Sequence, residues 1–401
     1  MSILKSQILN FKLLGLGYLI TIVAFFFYSF TQVDLNLTLS QASWWKTVQN
    51  FFQHIGYFNR PLSSVLYVML VLLLFVFYIF FIKLAHKNRI STKNLWILIL
   101  VMTGILTFSY NAFSYDLFNY IFDTKIITFY HQSPYMHKAL DYMGDPMLFF
   151  MRWTHRTYPY GPVWLLLTTP LSFLGLNFFL PTFFLFKIFN SLYFLGTAYF
   201  ISKILKKVNV GSKSLGVVLF ALNPLVIIES LISSHNDTSM MFFAVLSVCL
   251  LIENKKLKSL LSLFFSIGIK FATVFLIPAY LYYLLKQKSE NFSLDKFLNF
   301  IFFVMFIPVI LATIRTTFQP WYLLYIIPFA SLIPRKNYAI SANIILAFFA
   351  VIQYVPFLYK GDWNSPVPEI LMWITILGAA LYIVYVLLSI KFAKLSILSR
   401  K

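Results

Sequence analysis

Apolar runs recur along this chain, separated by short polar stretches. A run of about 20 apolar residues can cross a bilayer as a helix. The pattern predicts such spans at 13–31, 63–84, 94–113, 182–202, 214–232, 238–252, 297–314, 338–356 and 370–391. Shorter apolar runs lie at 162–176, 259–269, 271–285 and 321–333; they are too short to span without tilt and read as half-helices or re-entrant segments. The expectation is an all-α, polytopic membrane protein with about 11 to 13 transmembrane or re-entrant helices. No internal repeat of the solenoid or propeller kind is visible. The run Leu13 to Phe30 lacks a small-residue cleavage site and reads as a retained first helix rather than a signal peptide.

Composition agrees with this reading. Of 401 residues, 60% are apolar and only 11% charged, against about 25% charged in a soluble domain. Mean hydropathy is +0.80. A water-facing surface cannot be covered with so few charges, which excludes a soluble enzyme and a disordered chain. The single cysteine, Cys249, permits no intramolecular disulfide.

The net charge of +20 is spread in short clusters between the apolar runs: Lys83–Lys93, Lys203–Lys213, Lys255–Lys258, Lys286 with Lys288, Arg335 with Lys336, and Lys391, Lys394, Arg400 and Lys401. That is the pattern of cytoplasmic loops and lipid-headgroup contacts, not of nucleic-acid binding. The loops at 32–61, 114–160 and 357–369 are then expected on the outer side. Parity leaves one conflict. If 162–176 and 182–202 both cross, the Lys203 cluster falls outside; a re-entrant 162–176, or one basic loop that breaks the rule, resolves it. The natural division is N-terminal helices at 1–93, a central module at 94–335 and C-terminal helices at 336–401.

Twelve acidic residues are present, and four of them, Asp116, Asp123, Glu229 and Asp237, sit at the ends of apolar runs. A carboxylate at bilayer depth costs about 2.5–3.5 kcal/mol on insertion scales and needs a partner or a water-filled cavity. Asp116 and Asp123 are seven apart and share a face if the helix continues, with an amphipathic helix at the interface expected around them. Asp116 alternatively caps a helix or pairs with Lys125. Arg is scarce, and Arg60, Arg152, Arg156 and Arg315, four of the seven, fall in outer segments. A planar guanidinium suits a phosphate. His155 and Tyr158 lie beside Arg156, ahead of Pro159-Tyr160-Gly161-Pro162. His235, Asn236 and Asp237 form a polar turn between two apolar runs, where they either face a ligand or cap the next helix. Lys270 stands inside an apolar run and either snorkels or neutralises an anion. Trp321 follows Pro320 at the end of another, where an aromatic belt is the alternative to a sugar platform. No carboxylate spacing indicates a metal, although Asp116 and His235 could share one if they meet. No Gly-rich phosphate loop occurs, so no nucleotide cofactor is expected.

Taken in order, these motifs resemble the GT-C glycosyltransferases that use polyprenyl-phosphate sugars, most of all bacterial alpha-mannosyltransferases of the family 87 type and their alpha-1,6 relatives. The resemblance covers roughly residues 95–335: Asp116 at the start of a long outer loop, the Tyr-Pro-rich re-entry at 158–162, Asn223-Pro224-Leu225 followed by His235-Asn236-Asp237, Gly268-Ile269-Lys270, and Pro320-Trp321-Tyr322. Two departures are visible. Tyr158-Pro159-Tyr160 stands where the family has Tyr-Pro-Pro, and Gln319 where relatives often have His. The resemblance implies a GT-C-like bundle in a bacterial-type plasma membrane and an inverting transfer at the outer face. The hexose, mannose by resemblance, moves from a polyprenyl-phosphate donor to a hydroxyl of a glycan or glycolipid. Asp116 is the implied catalytic carboxylate. Asp123, Arg152, His155, Arg156, Tyr158, His235, Asn236, Asp237, Lys270, Arg315 and Trp321 are the candidate substrate contacts. Expected partners are the lipid-linked sugar, the acceptor and membrane lipids, with no separate cofactor. A flippase of lipid-linked sugars and a polysaccharide polymerase or ligase are the competing readings.

Overall fold

The computed structural model describes residues 2–290 and 292–398, and every regular element among them is helical. The chain runs through α1 (Ser2–Ser29), α2 (Ser43–Gln53), α3 (Arg60–His86), α4 (Thr92–Thr107), α5 (Asp116–Thr128), α6 (Pro162–Leu174) and α7 (Phe179–Val208). Next come α8 (Lys213–Ala221), α9 (Pro224–Ile227), α10 (Asp237–Ile252), α11 (Lys256–Ile269) and α12 (Ile277–Lys286). It closes with α13 (Leu294–Val304), α14 (Phe306–Arg315), α15 (Ile327–Ala330), α16 (Asn337–Ser341), α17 (Ala347–Ile352), α18 (Tyr354–Lys360) and α19 (Val367–Leu398). Among the described residues, six stretches are long and apolar enough to cross a membrane; the bent pair Val210–Ala221 and Pro224–Ile232, which meet at 52°, makes a seventh. This is a polytopic, all-helical membrane protein.

Several predicted spans are shorter than their apolar runs. The run 94–113 is helical only to Thr107, because the polar side chains beyond it take up the backbone. Ser29 accepts from the Tyr110 N–H at 2.9 Å, and Asn111 donates to the Ser114 carbonyl at 2.5 Å. The run 214–232 breaks at Asn223-Pro224, where Asn223 caps α9 by accepting from the Leu225 N–H at 3.0 Å. The runs 259–269 and 271–285 are separate helices because Lys270 is extended, with φ −155°. The amphipathic helix expected at the interface around Asp116 and Asp123 is α5, and it is more enclosed than a helix lying free on a membrane surface. α5 is buried on most sides, with Leu117, Phe118, Tyr120, Ile121 and Phe122 all enclosed, since α6, α7 and the 139–158 loop pack around it.

Contacts sort the helix ends onto two faces. Lys203 and Lys207 reach Glu253 at 2.9 and 3.6 Å, Lys336 pairs with Asp295 at 3.1 Å, and Arg335 lies against Gly211. These basic clusters therefore share one face. Lys394, Arg400 and Lys401 lie outside the described side chains. The opposite face carries the end of α1, the start of α3 and the 108–161 region, tied by Arg152 to Asp34 at 3.2 Å and by Asn36 to the Phe149 carbonyl at 3.0 Å.

α6 does not cross. Trp164 near its start packs on Phe186 and Phe189 of α7, whereas Gly175 at its end meets Thr182. The 13 residues of α6 thus rise alongside α7 and turn back into it on the same face. α5 runs parallel to α6, since Tyr120 meets Trp164 and Thr128 bonds Ser172 at 3.0 Å. Both helices lead away from a deep point at which Asp116 and Pro162 begin them.

A buried lysine that sequence reading missed braces this region. Lys187 of α7 is 1% exposed. It donates to the carbonyls of Leu231 and Ile232 (3.0 Å to the latter) and to Ser109 at 3.2 Å. Its amine donors satisfy carbonyls that a helical turn leaves unpaired at its end, and they hold that turn against α4 and α7. Lys187→Met would leave buried carbonyls without a donor, at about 1–3 kcal/mol each. The thermal midpoint of the detergent-solubilised protein should fall clearly; an unchanged midpoint would show that Lys187 bears no structural load.

Candidate active site

Four segments meet where α5 and α6 begin. α5 presents Asp116 at its first position, with its N–H donating to Ser114 at 3.1 Å. The turn between the bent span and α10 presents Ser233 to Asp237, all fully buried. The extended 158–161 segment re-enters beside the break at Lys270: Gly161 donates to the Ile269 carbonyl at 3.1 Å. A Cβ on Gly161 would fall 2.1 Å from the Gly268 carbonyl oxygen, so only glycine permits this approach. The fourth segment is the Pro320–Tyr325 turn, which lays Trp321 on the His235 ring at 4.3 Å between centroids.

His235 lies between two carboxylates. Its Nδ1 is 3.6 Å from Asp116 and its Nε2 is 3.2 Å from Glu229. Glu229 accepts from the Tyr354 hydroxyl at 2.8 Å. Asp116 also faces Arg156 at 3.7 Å and the Tyr160 hydroxyl at 3.5 Å. Lys270 pairs with Asp237 at 2.8 Å, reaches Asn236 at 3.4 Å and sits over the Tyr160 ring at 5.4 Å. Burial opposes ionisation of Asp116, yet His235, Lys270 and Arg156 together hold it below the usual carboxylate range. Burial likewise opposes protonation of His235, but contact with Asp116 and Glu229 raises it to about 9. Asp116 and His235 therefore form an ion pair at neutral pH.

Unpartnered polar atoms gather in the same place. The hydroxyls of Ser233, Ser234 and Thr238 and Asn236 Nδ2 are buried without a hydrogen-bond partner, beside the His235 nitrogens and the Glu229 oxygen that meet only in ion pairs. Buried polar groups are ordinarily satisfied, so their concentration at one turn marks a site rather than a core. No group of three or more His, Cys, Asp or Glu side chains is arranged to hold a metal among the described residues. Asp116 and His235 do meet, but Asp116 and Glu229 contact opposite ring nitrogens and do not converge on one point.

The other sequence candidates fall in different places. Arg152 is engaged with Asp34 and lies over the Tyr115 ring at 4.8 Å; it ties two loops together. Tyr158 is buried and donates to the Gly161 carbonyl at 2.8 Å, which shapes the re-entry. His155 is exposed, with its ring beside Trp153. Arg315 is exposed at the end of α14. Asp123 is half-buried on α5 and makes no hydrogen bond or ion pair among the described residues. Lys125 pairs with Asp145 rather than Asp116. Tyr354 and Tyr160 were not singled out as ligand-facing, since an isolated tyrosine among many carries no pattern.

A multi-pass helical membrane protein with a buried carboxylate–imidazole–carboxylate chain beside two basic side chains can move a proton and hold an anionic group at this point. The family model for the alpha-(1->6)-mannopyranosyltransferase N-terminal domain matches residues 17–286, and the chain belongs to this MptA_B family. It is thus a member of a mannosyltransferase family. No curated protein and no solved structure matches it. Trp321 and Tyr354, which complete the surroundings of His235, lie beyond the matched segment.

Asp123 offers a test of the electrostatics. Burial pushes its carboxyl up to about 8, against the pull of Arg156 and with the repulsion of Asp116. Folding then favours the protonated form, so this group lowers stability as pH rises from the ordinary carboxylate range to about 8. Asp123→Asn removes that slope. The variant should match wild type near pH 4 and exceed it in thermal midpoint near pH 8; parallel midpoint curves would contradict this environment.

Proposed function

We propose that this chain transfers a hexose, mannose by its family, from a polyprenyl-phosphate donor to a hydroxyl of a glycan or glycolipid. The reaction proceeds with inversion, with Asp116 as general base, at the outer face of a bacterial-type plasma membrane. The observation that carries the reading is Asp116 standing between His235 and Arg156, with Lys270 in the same cluster. The basic clusters on the opposite face support the orientation, because such clusters stay cytoplasmic.

In this scheme the acceptor O–H gives its proton to Asp116 as the oxygen attacks the anomeric carbon. The bond from that carbon to the phosphate oxygen breaks, and its electron pair leaves with the lipid phosphate. A positioned base contributes about 10²–10⁴-fold. Arg156 and Lys270 reach the site surface, with side chains 36% and 22% exposed, and stabilise charge building on the leaving phosphate. The Lys270 contact with Asp237 holds the ammonium in place before the donor arrives. His235 keeps its proton at neutral pH and serves as an electrostatic partner of Asp116 rather than as a second base. The transition state is oxocarbenium-like, as in glycoside hydrolysis. Asp237, Asn236 and Trp321 border the sugar.

Reconstituted membranes supplied with polyprenyl-phosphate-mannose should show sugar transfer. Asp116→Asn, if still folded, should lower it by about 10²–10⁴-fold. Persistence of transfer in Asp116→Asn would move the base elsewhere, and no transfer by wild type would remove the reading. The pH profile follows from the two shifts. Activity should hold at pH values below the usual carboxylate range before Asp116 protonates, and should fall as pH rises through about 9, where His235 loses its charge. An alkaline limb that stays flat past pH 10 would show that the imidazolium is not required.

A further inference from the structure

We infer that Asp123 and Trp153 form an acceptor-side saccharide subsite that binds the hexose unit next to the one reacting at Asp116. This rests on the reading of Asp116 as the base. α5 is continuous from Asp116 past Asp123. The seven-residue spacing places both carboxylates on one helix face, ~10 Å apart along the axis. Asp123 is half-buried and has no hydrogen-bond or ion-pair partner among the described residues. Its oxygens are therefore available to accept from sugar hydroxyls.

Arg156 joins the two positions. Its guanidinium faces Asp116 at 3.7 Å, acts electrostatically on Asp123, and lies against the Trp153 ring at 5.2 Å. Trp153 is 50% exposed, and its backbone φ is +57°. A bulky residue in the left-handed region is an outlier, and such strain concentrates at ligand contacts. An open indole beside a guanidinium that itself faces the Asp116 carboxylate presents an apolar platform and directional hydrogen-bonding groups together, which suits a pyranose ring. The direction of α5 decides between donor and acceptor. Asp116 lies deep beside the Trp164 level of α7, and α5 climbs from there toward the start of α7. Asp123 is thus farther from the bilayer centre than Asp116. A lipid-borne donor arrives from the membrane, whereas a glycan extends from the reacting hydroxyl toward water.

The test compares two soluble acceptors, an alpha-1,6-linked mannotriose and methyl mannoside, in the reconstituted enzyme. Wild type should favour the trisaccharide. Asp123→Asn and Trp153→Ala should each reduce the trisaccharide-to-monosaccharide ratio of kcat/KM about tenfold, chiefly through KM, as expected for one lost hydrogen bond or stacking contact. Loss of activity equal on both acceptors, or no preference in wild type, overturns the subsite. A second measurement needs no turnover. The mannotriose should perturb tryptophan fluorescence in wild type and not in Trp153→Phe; quenching of Trp153 by brominated lipid instead would make it a membrane anchor and overturn the proposal. Asp116→Asn run alongside separates the readings. If it remains active, the base assignment fails, while the length preference and the fluorescence titration still decide the subsite.

Discussion

The chain of contacts from Tyr354 through Glu229 and His235 to Asp116 is the constraint around which the rest is arranged. A single buried carboxylate or imidazolium in apolar surroundings is costly, and a pair is tolerated only with good geometry and further partners. Here each charge is bordered by another. Removing any link leaves an uncompensated charge next to the remaining ones. This requirement forces α5, the turn before α10, the π-helical turn at Ile228–Ile232 and α18 into one place, although they come from distant parts of the sequence.

Broken helices make that meeting feasible. A continuous helix satisfies its own backbone and presents only side chains, whereas non-helical backbone inside a membrane protein must be satisfied by protein or line a polar cavity. The breaks at 108–115, at Asn223-Pro224, at Ser233–Asn236, at Lys270 and at Gln319-Pro320 are where polar side chains accumulate. Several of their backbone groups are met by side chains: Asn190 donates to the Ser234 carbonyl at 2.5 Å, Lys187 serves Leu231 and Ile232, and Ser29 serves Tyr110. Breaks near the site supply Asp116, His235, Lys270 and Trp321. The long uninterrupted helices act as scaffold. α19 illustrates this role at its extreme, since its apolar side chains are largely exposed to the surroundings.

Two arginines four residues apart show how position changes a role. Arg152 is held by the buried Asp34, so it closes the gap between the first loop and the long loop. Arg156 faces Asp116 and remains partly exposed. The same residue type serves as a clamp in one case and as a site cation in the other. The local sequence, Arg-Trp-Thr-His-Arg, contains nothing that distinguishes them.

Much of this was legible in the residues themselves. The apolar runs announced a polytopic helical protein, because the bilayer imposes length and hydropathy on any span. The scarcity of acidic residues drew attention to Asp116, Glu229 and Asp237, because burying a carboxylate is expensive wherever it occurs. The ordered motifs pointed to a glycosyltransferase, and the family match bears out the mannosyltransferase class. Helix ends were less legible. The limit of α4 at Thr107 depends on Ser29, which is 81 residues from Tyr110. The turn-back of α6 depends on its packing along α7. The partners of each charge were not legible at all: that Lys125 takes Asp145, that Arg152 takes Asp34, and that Tyr354 reaches Glu229. Hydropathy and helical period are local properties, set by each residue and its neighbours along the chain. Pairing of charges is a property of distance in space, and only the packed bundle specifies it.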